Sequence, residues 1–248
     1  MSGRPKFSVI MPAFNEAGHL AVNIDETVAV MEQLGESYEI IPVDDGSRDR
    51  SADVLRQAAA RHASVKPVLL TLNQGKGYAL RAGFTQAEGE LIFFLDADLD
   101  LHPKQFGVLY QIMAMSHAAI VIGSKRHPMS VLHYPGHRRF ISTVYFFLIK
   151  LLFGLPIRDT QTGIKLFRRE ALEKIFPKIL VKKYAFDLEL LVLAHHYGYK
   201  IAEAPVVVDY KAKFGRIGAK AIFNIWWDTM AVWYRLAIRR YYDKVVHE

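Results

Sequence analysis

Strand-like and helix-like stretches alternate along the first half of this chain, and that alternation limits the folds open to it. Short apolar runs at residues 7–11, 39–43, 65–72, 91–95 and 119–122 have the length and composition of buried strands. Between them, residues 17–35, 51–62, 77–86 and 103–117 carry helical spacing, with Pro103 suited to a first helical turn and Gly35 to a helix end. Repeated alternation of this kind predicts an α/β fold, a Rossmann-like, mostly parallel sheet flanked by helices. After Ser124 the rhythm changes to a Pro/His-rich loop, an aromatic helix and shorter elements, with no composition shift that would mark a linker. The 248 residues suffice for one large domain, or one domain and an appendage.

Open sheets of this class bind ligands at the carboxyl ends of their strands, and here those ends are polar. The fourth run leads into Asp96, Asp98 and Asp100. If the extended path persists, alternate residues share one face and the three carboxylates converge. Three bare carboxylates repel one another unless a cation neutralises them. All-oxygen ligands in a chain without Cys point to Mg²⁺ or Mn²⁺. A lone D-x-D is more often a solvated strand end, so its position carries the weight. Pro12-Ala13-Phe14-Asn15-Glu16 follows the first run, and reads equally as a turn with a helix cap or as a base and ribose site. Asp44-Asp45-Gly46-Ser47 follows the second; an Asp there can accept from a nucleobase and Ser47 can cap the next helix, although a plain turn is the commoner use. Asn73-Gln74-Gly75-Lys76-Gly77 follows the third, where Lys76 can meet a diphosphate at a helix amino end. It is neither a Walker A loop nor a dinucleotide fingerprint, since Leu80 stands where a third glycine belongs. Four such clusters at four successive strand ends are harder to dismiss than any one.

A formal charge of +7 favours anionic partners. The absence of Cys excludes disulfides and thiolate metal sites, and fits a reducing compartment. No apolar signal segment follows the first basic residues. The longest apolar stretch, 140–155, is broken by Lys150 and falls short of the ~20 residues a spanning helix needs, so a chain lying on a membrane is expected rather than one crossing it.

The ordered set PAFNE, VDDGS, NQGKG and DADLD resembles the family-two glycosyltransferases of the GT-A fold. Gly123-Ser124-Lys125-Arg126, the run Arg158 to Gly163 (RDTQTG) and the run Tyr184 to Glu189 (YAFDLE) extend the likeness towards the polyprenyl- and dolichyl-phosphate glucosyl- and mannosyltransferases. The likeness covers residues 7 to about 210. It implies an inverting transfer of one hexose from a nucleotide sugar to a lipid phosphate on the cytosolic leaflet. UDP-glucose is the first donor expected and GDP-mannose the second.

Carried over, Pro12, Phe14, Glu16, Asp44, Asp45, Asn73, Lys76 and Asp96 would line the nucleotide-sugar pocket. Asp96, Asp98 and Asp100 would serve the metal, although mannosyl relatives often have Gln at the position of Asp100. Lys125, Arg126, Arg138 and Ser142 would meet the acceptor phosphate, and Lys211 and Lys213 would belong to a loop closing on the diphosphate. That loop, KAKFGRIG, departs from the Gly, Ser and Lys pattern of relatives. A phosphate monoester is already largely ionised at neutral pH, its second pKa being about 6, so no strong base is required. Asp187 and Glu189, near the usual base position, are therefore expected to join Asp98 in the catalytic set chiefly by orienting donor sugar or acceptor.

The resemblance thus implies a GT-A catalytic domain over residues 1–218, divided into a nucleotide-sugar and metal half (7–124) and an acceptor half (125–218). Residues 219–248 are expected to form an amphipathic, membrane-interfacial helix, because Trp226, Trp227, Trp233, Tyr234, Tyr241 and Tyr242 lie beside Arg235, Arg239, Arg240 and Lys244, the alternative being a helix packed on the sheet with a basic outer face. The aromatic segment 141–153 is expected to add to that contact. The resemblance implies a cytoplasmic chain at the cytosolic face of a membrane, and leaves room for an integral membrane protein partner. Two other readings stay open: the same fold acting on a non-lipid acceptor, with Asp187 or Glu189 as an essential base, and a basic membrane or nucleic-acid-binding module. Asp96, Asp98 and Lys76 argue against the second, and no nucleic acid partner is expected.

Overall fold

The computed structural model describes residues 3–132, 136–182, 185–208 and 219–244, with backbone alone for 136–142 and 219–222. The strands are β1 (Phe7–Ala13), β2 (Tyr38–Asp44), β3 (Val68–Leu69), β4 (Leu91–Phe94), β5 (Ile120–Ser124), β6 (Val131–Leu132), β7 (Lys165–Arg168), β8 (Ile201–Pro205) and β9 (Val207–Val208). The helices are α1 (Leu20–Gln33), α2 (Ser51–Arg61), α3 (Lys76–Gln86), α4 (Phe106–Ser116), α5 (Gly136–Phe153), α6 (Arg169–Ile175), α7 (Phe186–His196) and α8 (Ala219–Trp233).

Seven strands form one sheet in the order β3-β2-β1-β4-β7-β5-β8. All neighbours are parallel except β7, which runs antiparallel between β4 and β5. β6 and β9 form a separate parallel pair. The expected mostly parallel α/β sheet is thus present.

Crossover helices cover both faces, so the central strands are apolar on both sides. On one face Val9, Met11 and Phe93 pack against Leu20 and Ile24 of α1, Leu55 of α2 and Phe106 of α4. On the other Ile10, Ile92 and Phe94 meet Leu80 of α3, Ile149 of α5, Leu172 of α6 and nearly all of α7. Each fully buried side chain of this size contributes about 1.5–3 kcal/mol.

Two expected elements differ in extent. The third strand was expected over 65–72, and only Val68–Leu69 pairs regularly, with one further bridge from Val65 to Ile40. It is the sheet's edge, and Pro67 supplies no N–H to extend the ladder. The C-terminal helix stops at Trp233, continues as a π-turn over Tyr234–Ile238, and gives way to a short 3₁₀ turn at Tyr241–Asp243 after Arg240 adopts φ 46°. Val232 and Tyr242 from this region are buried in the second of the two cores described above. Among the described residues no helix is long and apolar enough to cross a membrane.

Candidate active site

Parallel pairing in register from Phe7↔Tyr38 to Ala13↔Asp44, and from Phe7↔Leu91 to Ile10↔Phe94, brings the carboxyl ends of β1, β2 and β4 to one edge. A cleft of ≈ 330 Å³ opens there, lined by Pro12, Phe14, Glu16, Asp45, Asn73, Gly75, Lys76, Asp96 and Asp98, among others. That volume lies within the range of small-ligand sites. A larger hollow of ≈ 600 Å³ lies at the opposite strand ends, among Arg4, Glu39, Lys66, Glu88 and Arg169. Its charges neutralise each other, Lys66 meeting Glu39 at 2.7 Å, so the smaller cleft is the better candidate.

The strand-end loops lock together. Ser47 Oγ accepts from Asn15 N–H (2.9 Å), Asn15 Oδ1 accepts from Arg48 N–H (2.9 Å), and Ser51 Oγ accepts from Glu16 N–H (3.0 Å). Ser47 therefore braces the β1 loop; α2 begins after Arg50 and has no side-chain cap. Asp44 is buried and accepts from Ser47 N–H. The two oxygens of Asp45 accept from Gln74 N–H (2.9 Å) and Gly75 N–H (2.8 Å), so this carboxylate fastens the glycine loop to β2 and still borders the cleft.

Gly75 ends that loop at φ 97°, a conformation glycine adopts without strain, and α3 starts at Lys76. Lys76 Nζ lies 2.5 Å from Asp96 Oδ1. Burial opposes the Lys76 charge, but Asp96 first, then Asp187 and Asp98, hold the ammonium above its usual range. Against its own burial, Asp96 is held below the usual carboxylate range by Lys76, ahead of Lys165 and Lys125.

Asp98 is the opposite case. The surrounding protein first, then Asp96, Asp100 and Glu16, push its carboxyl up to about 6 even though the side chain reaches solvent at the cleft. A divalent ion bound there would offset this crowding of carboxylates. The extended path expected to align three carboxylates ends at Phe94: the chain turns at Asp96, whose carbonyl accepts from Leu99 N–H, with Leu99 at φ 51°. Asp100 does not border the cleft, and its N–H donates to Asp98. Among the described residues no three His, Cys, Asp or Glu side chains are grouped to hold an ion. Asp96 and Asp98 remain as two oxygen donors, which suits an ion completed by a substrate's phosphates.

A ligand carboxylate must be ionised. Divalent-ion affinity is therefore expected to fall as pH drops through about 6, measurable by calorimetric Mn²⁺ titration between pH 5 and 8. In the ion-free protein the raised Asp98 carboxyl contributes stability that is fully present below about pH 4 and is lost as pH rises through about 6. Added ion should thus raise the melting temperature most above pH 6.

The acceptor-side residues are placed less uniformly. Lys125 donates its N–H to Asp159 (3.0 Å). Arg126 donates to Thr143 of α5 (3.2 Å) and lies over the Phe146 ring. Arg138 and Ser142 fall on α5 in the part described by backbone alone, and Lys211 and Lys213 lie outside the described residues.

Asp187, at the start of α7, is paired with buried Lys165 at 2.7 Å. Glu189 is fully buried and accepts from four donors, away from the cleft. The expected direct contact of Glu189 with sugar or acceptor is corrected on that ground: a carboxylate enclosed on all sides cannot touch a ligand.

Lys165 was not singled out from the sequence; its signal is a lysine between Ile164 and Leu166 in an apolar strand. Gly163, which closes the RDTQTG run, had been given no role of its own. A Cβ built there would overlap the Asp96 carboxylate. Gly163→Ala is expected to displace Asp96 and lower kcat/KM for the donor by roughly 10²-fold, the usual cost of an ångström-scale misplacement. Steady-state kinetics beside an unchanged circular dichroism spectrum would check it.

A mostly parallel sheet with helices on both faces, and loops closing over an Asp–Ala–Asp turn at the strand carboxyl ends, defines a GT-A fold. Residues 8–176 match the family described as "Glycosyl transferase family 2", and the chain belongs to that family. A dolichyl-phosphate β-glucosyltransferase of Trichomonas vaginalis is 32% identical over 95% of this chain and 73% of its own length. The human dolichyl-phosphate β-glucosyltransferase is 34% identical over 81% of this chain, which spans 66% of the human protein. Glucosyl-3-phosphoglycerate synthase from Mycobacterium tuberculosis, solved with Mn²⁺, UDP-glucose and phosphoglyceric acid, has a TM-score of 0.71 at 19% identity, covering 94% of this chain and 79% of that one. A mannosyltransferase from Pyrobaculum calidifontis, solved with GDP-mannose and Mn²⁺, has a TM-score of 0.63 at 22% identity, covering 96% and 65%. These two structures show the shared fold.

Proposed function

We propose that the chain transfers glucose from UDP-glucose to a dolichyl or polyprenyl phosphate with inversion, using Mg²⁺ or Mn²⁺. The juxtaposition of Lys76, Asp96 and Asp98 in one cleft carries this reading. The relatives named as dolichyl-phosphate β-glucosyltransferases favour glucose over mannose and a lipid phosphate over other acceptors.

Asp96 and Asp98 would hold the ion, which when bound supplies positive charge to the donor diphosphate. Lys76, the first residue of α3, would give the diphosphate a cation at the helix's amino end. Pro12, Phe14 and Glu16 border the same cleft and would face the nucleoside. Asp187 is tied to Lys165 and Glu189 is enclosed, so neither is placed to take a proton from an alcohol. That geometry supports an acceptor ionised before it arrives, as a phosphate is. Lys125, Arg126, Arg138 and Ser142 would hold it, and Lys211 and Lys213 would close over the donor.

The test is transfer from a panel of labelled nucleotide sugars into organic-extractable product, with polyprenyl phosphate and Mn²⁺. Label from UDP-glucose in the lipid phase, abolished by chelator, is expected. Transfer only to water-soluble alcohols would overturn the reading.

Membrane contact belongs to the same proposal. Phe223, Trp226, Trp227 and Ile238 are exposed in the segment that also carries Arg239 and Arg240, and Val144, Phe147 and Leu151 are exposed on α5. The two helices are joined by a Tyr145–Thr229 hydroxyl contact of 3.1 Å. Aromatics beside basic residues suit an anionic bilayer surface, and a cytosolic leaflet with or without an integral membrane partner fits. Replacing Trp226 and Trp227 by Ser should reduce sedimentation with anionic vesicles by about tenfold. Unchanged sedimentation would remove α8 from the contact.

A further inference from the structure

Glu189 is a carboxylate that the proposed chemistry does not use, set inside an apolar core. One of its oxygens accepts from the N–H groups of Leu180 (3.0 Å) and Val181 (2.7 Å). The other accepts from Arg235 Nη2 (3.1 Å) and from the Tyr242 hydroxyl. Arg235 Nε also donates to that hydroxyl at 2.9 Å. Burial first, then the Glu189 charge, push the Tyr242 phenol up, so it stays protonated and keeps donating. The Tyr242 carbonyl is itself held by Tyr197 (3.0 Å) and Lys178 (2.9 Å).

The stretch that Glu189 grips leads directly to the cleft. Lys182, next after Val181, accepts through its carbonyl from Gly77 N–H at 3.0 Å. Gly77 is the second residue of α3, and Lys76 before it carries the ammonium paired with Asp96. Gly77 also lies so close to the Phe186 ring that a Cβ there would overlap it. Phe186 opens α7, three residues before Glu189. The amino end of α3 is therefore held from two sides, by Lys182 and by Phe186, and both attachments run back to Glu189. A buried ionic cluster is poor at adding stability compared with apolar packing of the same volume. What apolar packing cannot do is fix two backbone N–H groups at a set place.

We infer that Glu189, with Arg235 and Tyr242, is a positioning device that sets Lys76 against the donor diphosphate by fixing residues 180–182 and the start of α7. The inference rests on the proposed assignment of Lys76 to that diphosphate. It makes the segment after α8 a determinant of donor affinity, although Tyr242 is buried in the core and does not line the cleft.

The test uses the full chain with Tyr242→Phe, Glu189→Gln and Arg235→Met. Tyr242→Phe keeps the ring and removes one hydroxyl, which donates to Glu189 and accepts from Arg235, so it decides the matter alone should the other two fail to fold. Binding of UDP-glucose with Mn²⁺ is followed by calorimetry, steady-state KM is measured for donor and acceptor, and amide exchange is measured across the chain. Donor affinity should weaken about tenfold for Glu189→Gln and Arg235→Met, and about threefold for Tyr242→Phe. Acceptor KM should stay within about twofold, and exchange should quicken at the first turn of α3 but not in α1. Lower melting temperatures with donor affinity and α3 exchange unchanged would overturn the inference and leave the cluster merely structural. An equal rise in donor and acceptor KM would overturn it as well. A wild-type chain that binds no nucleotide sugar would overturn the proposed function and this inference together.

Discussion

Asp98→Asn is expected to lower kcat/KM for the nucleotide sugar by at least roughly 10²–10³-fold, the scale lost when charge stabilisation is removed from a reacting centre. The chain should meanwhile remain as well folded as before. These two outcomes follow from the same property of Asp98. Its carboxyl is pushed up to about 6 by the surrounding protein and by three other carboxylates, so at neutral pH its ionised form is held at a cost. Asn resembles the protonated form and carries none of that cost. The ion-free variant should therefore melt at or slightly above the wild-type temperature at pH 8, with little difference below about pH 4. The gain should be small because the side chain is partly screened by solvent. Adding Mn²⁺ should raise the melting temperature of the wild type and not that of the variant. Retained activity together with a retained Mn²⁺ shift would remove Asp98 from the ion's ligands.

The parts of this site legible in the sequence share one physical origin. In a parallel sheet every strand points its carboxyl end to the same edge, so polar clusters after successive strands must meet there. That is why Glu16, Asp45, Asn73, Lys76, Asp96 and Asp98, scattered over more than eighty positions, border a single cleft. The strands themselves were legible because β1, β2, β4 and β5 are buried on both faces and read as continuous apolar runs. The edge strand was overextended, since Pro67 and an exposed Leu69 weaken pairing in a way apolarity alone does not register.

Less was legible where the chain leaves that rule. β7 has four residues and enters antiparallel between β4 and β5, a pairing set by distant partners and by no local pattern. The alternation of Asp96, Asp98 and Asp100 suggested three carboxylates on one face, but alternation orders side chains only while the backbone stays extended, and a turn intervenes at residue 96. Asp187 and Glu189 lie two apart in a motif that suggests a shared role. On a helix, residues two apart face different ways. Asp187 turns towards Lys165 and Glu189 towards Arg235 and Tyr242. Only the distant partners decide which carboxylate is near the chemistry.

Lys165→Met is expected to destabilise the fold by about 3–5 kcal/mol, because it removes one member of a buried ion pair and leaves the other charge uncompensated. Lys165 is 1% exposed; its ammonium donates to Asp187 at 2.7 Å and to the Thr162 carbonyl. Methionine fills much the same volume, so a cavity contributes little and the effect is electrostatic. In a domain of this size each kcal/mol moves the melting temperature by roughly 2–4 °C, which makes a drop of about 10 °C the expected reading. Adding Asp187→Leu should recover most of it, since replacing both charges by apolar groups is often neutral or better. Activity should not return with stability. Lys165 is among the charges that hold Asp96 ionised, and Asp187 among those that hold Lys76 charged, so an apolar pair would leave the cleft's own pair without its second layer of support. A double variant that regained both would show that the buried pair serves the fold alone; one that regained only stability would tie it to the Lys76–Asp96 contact.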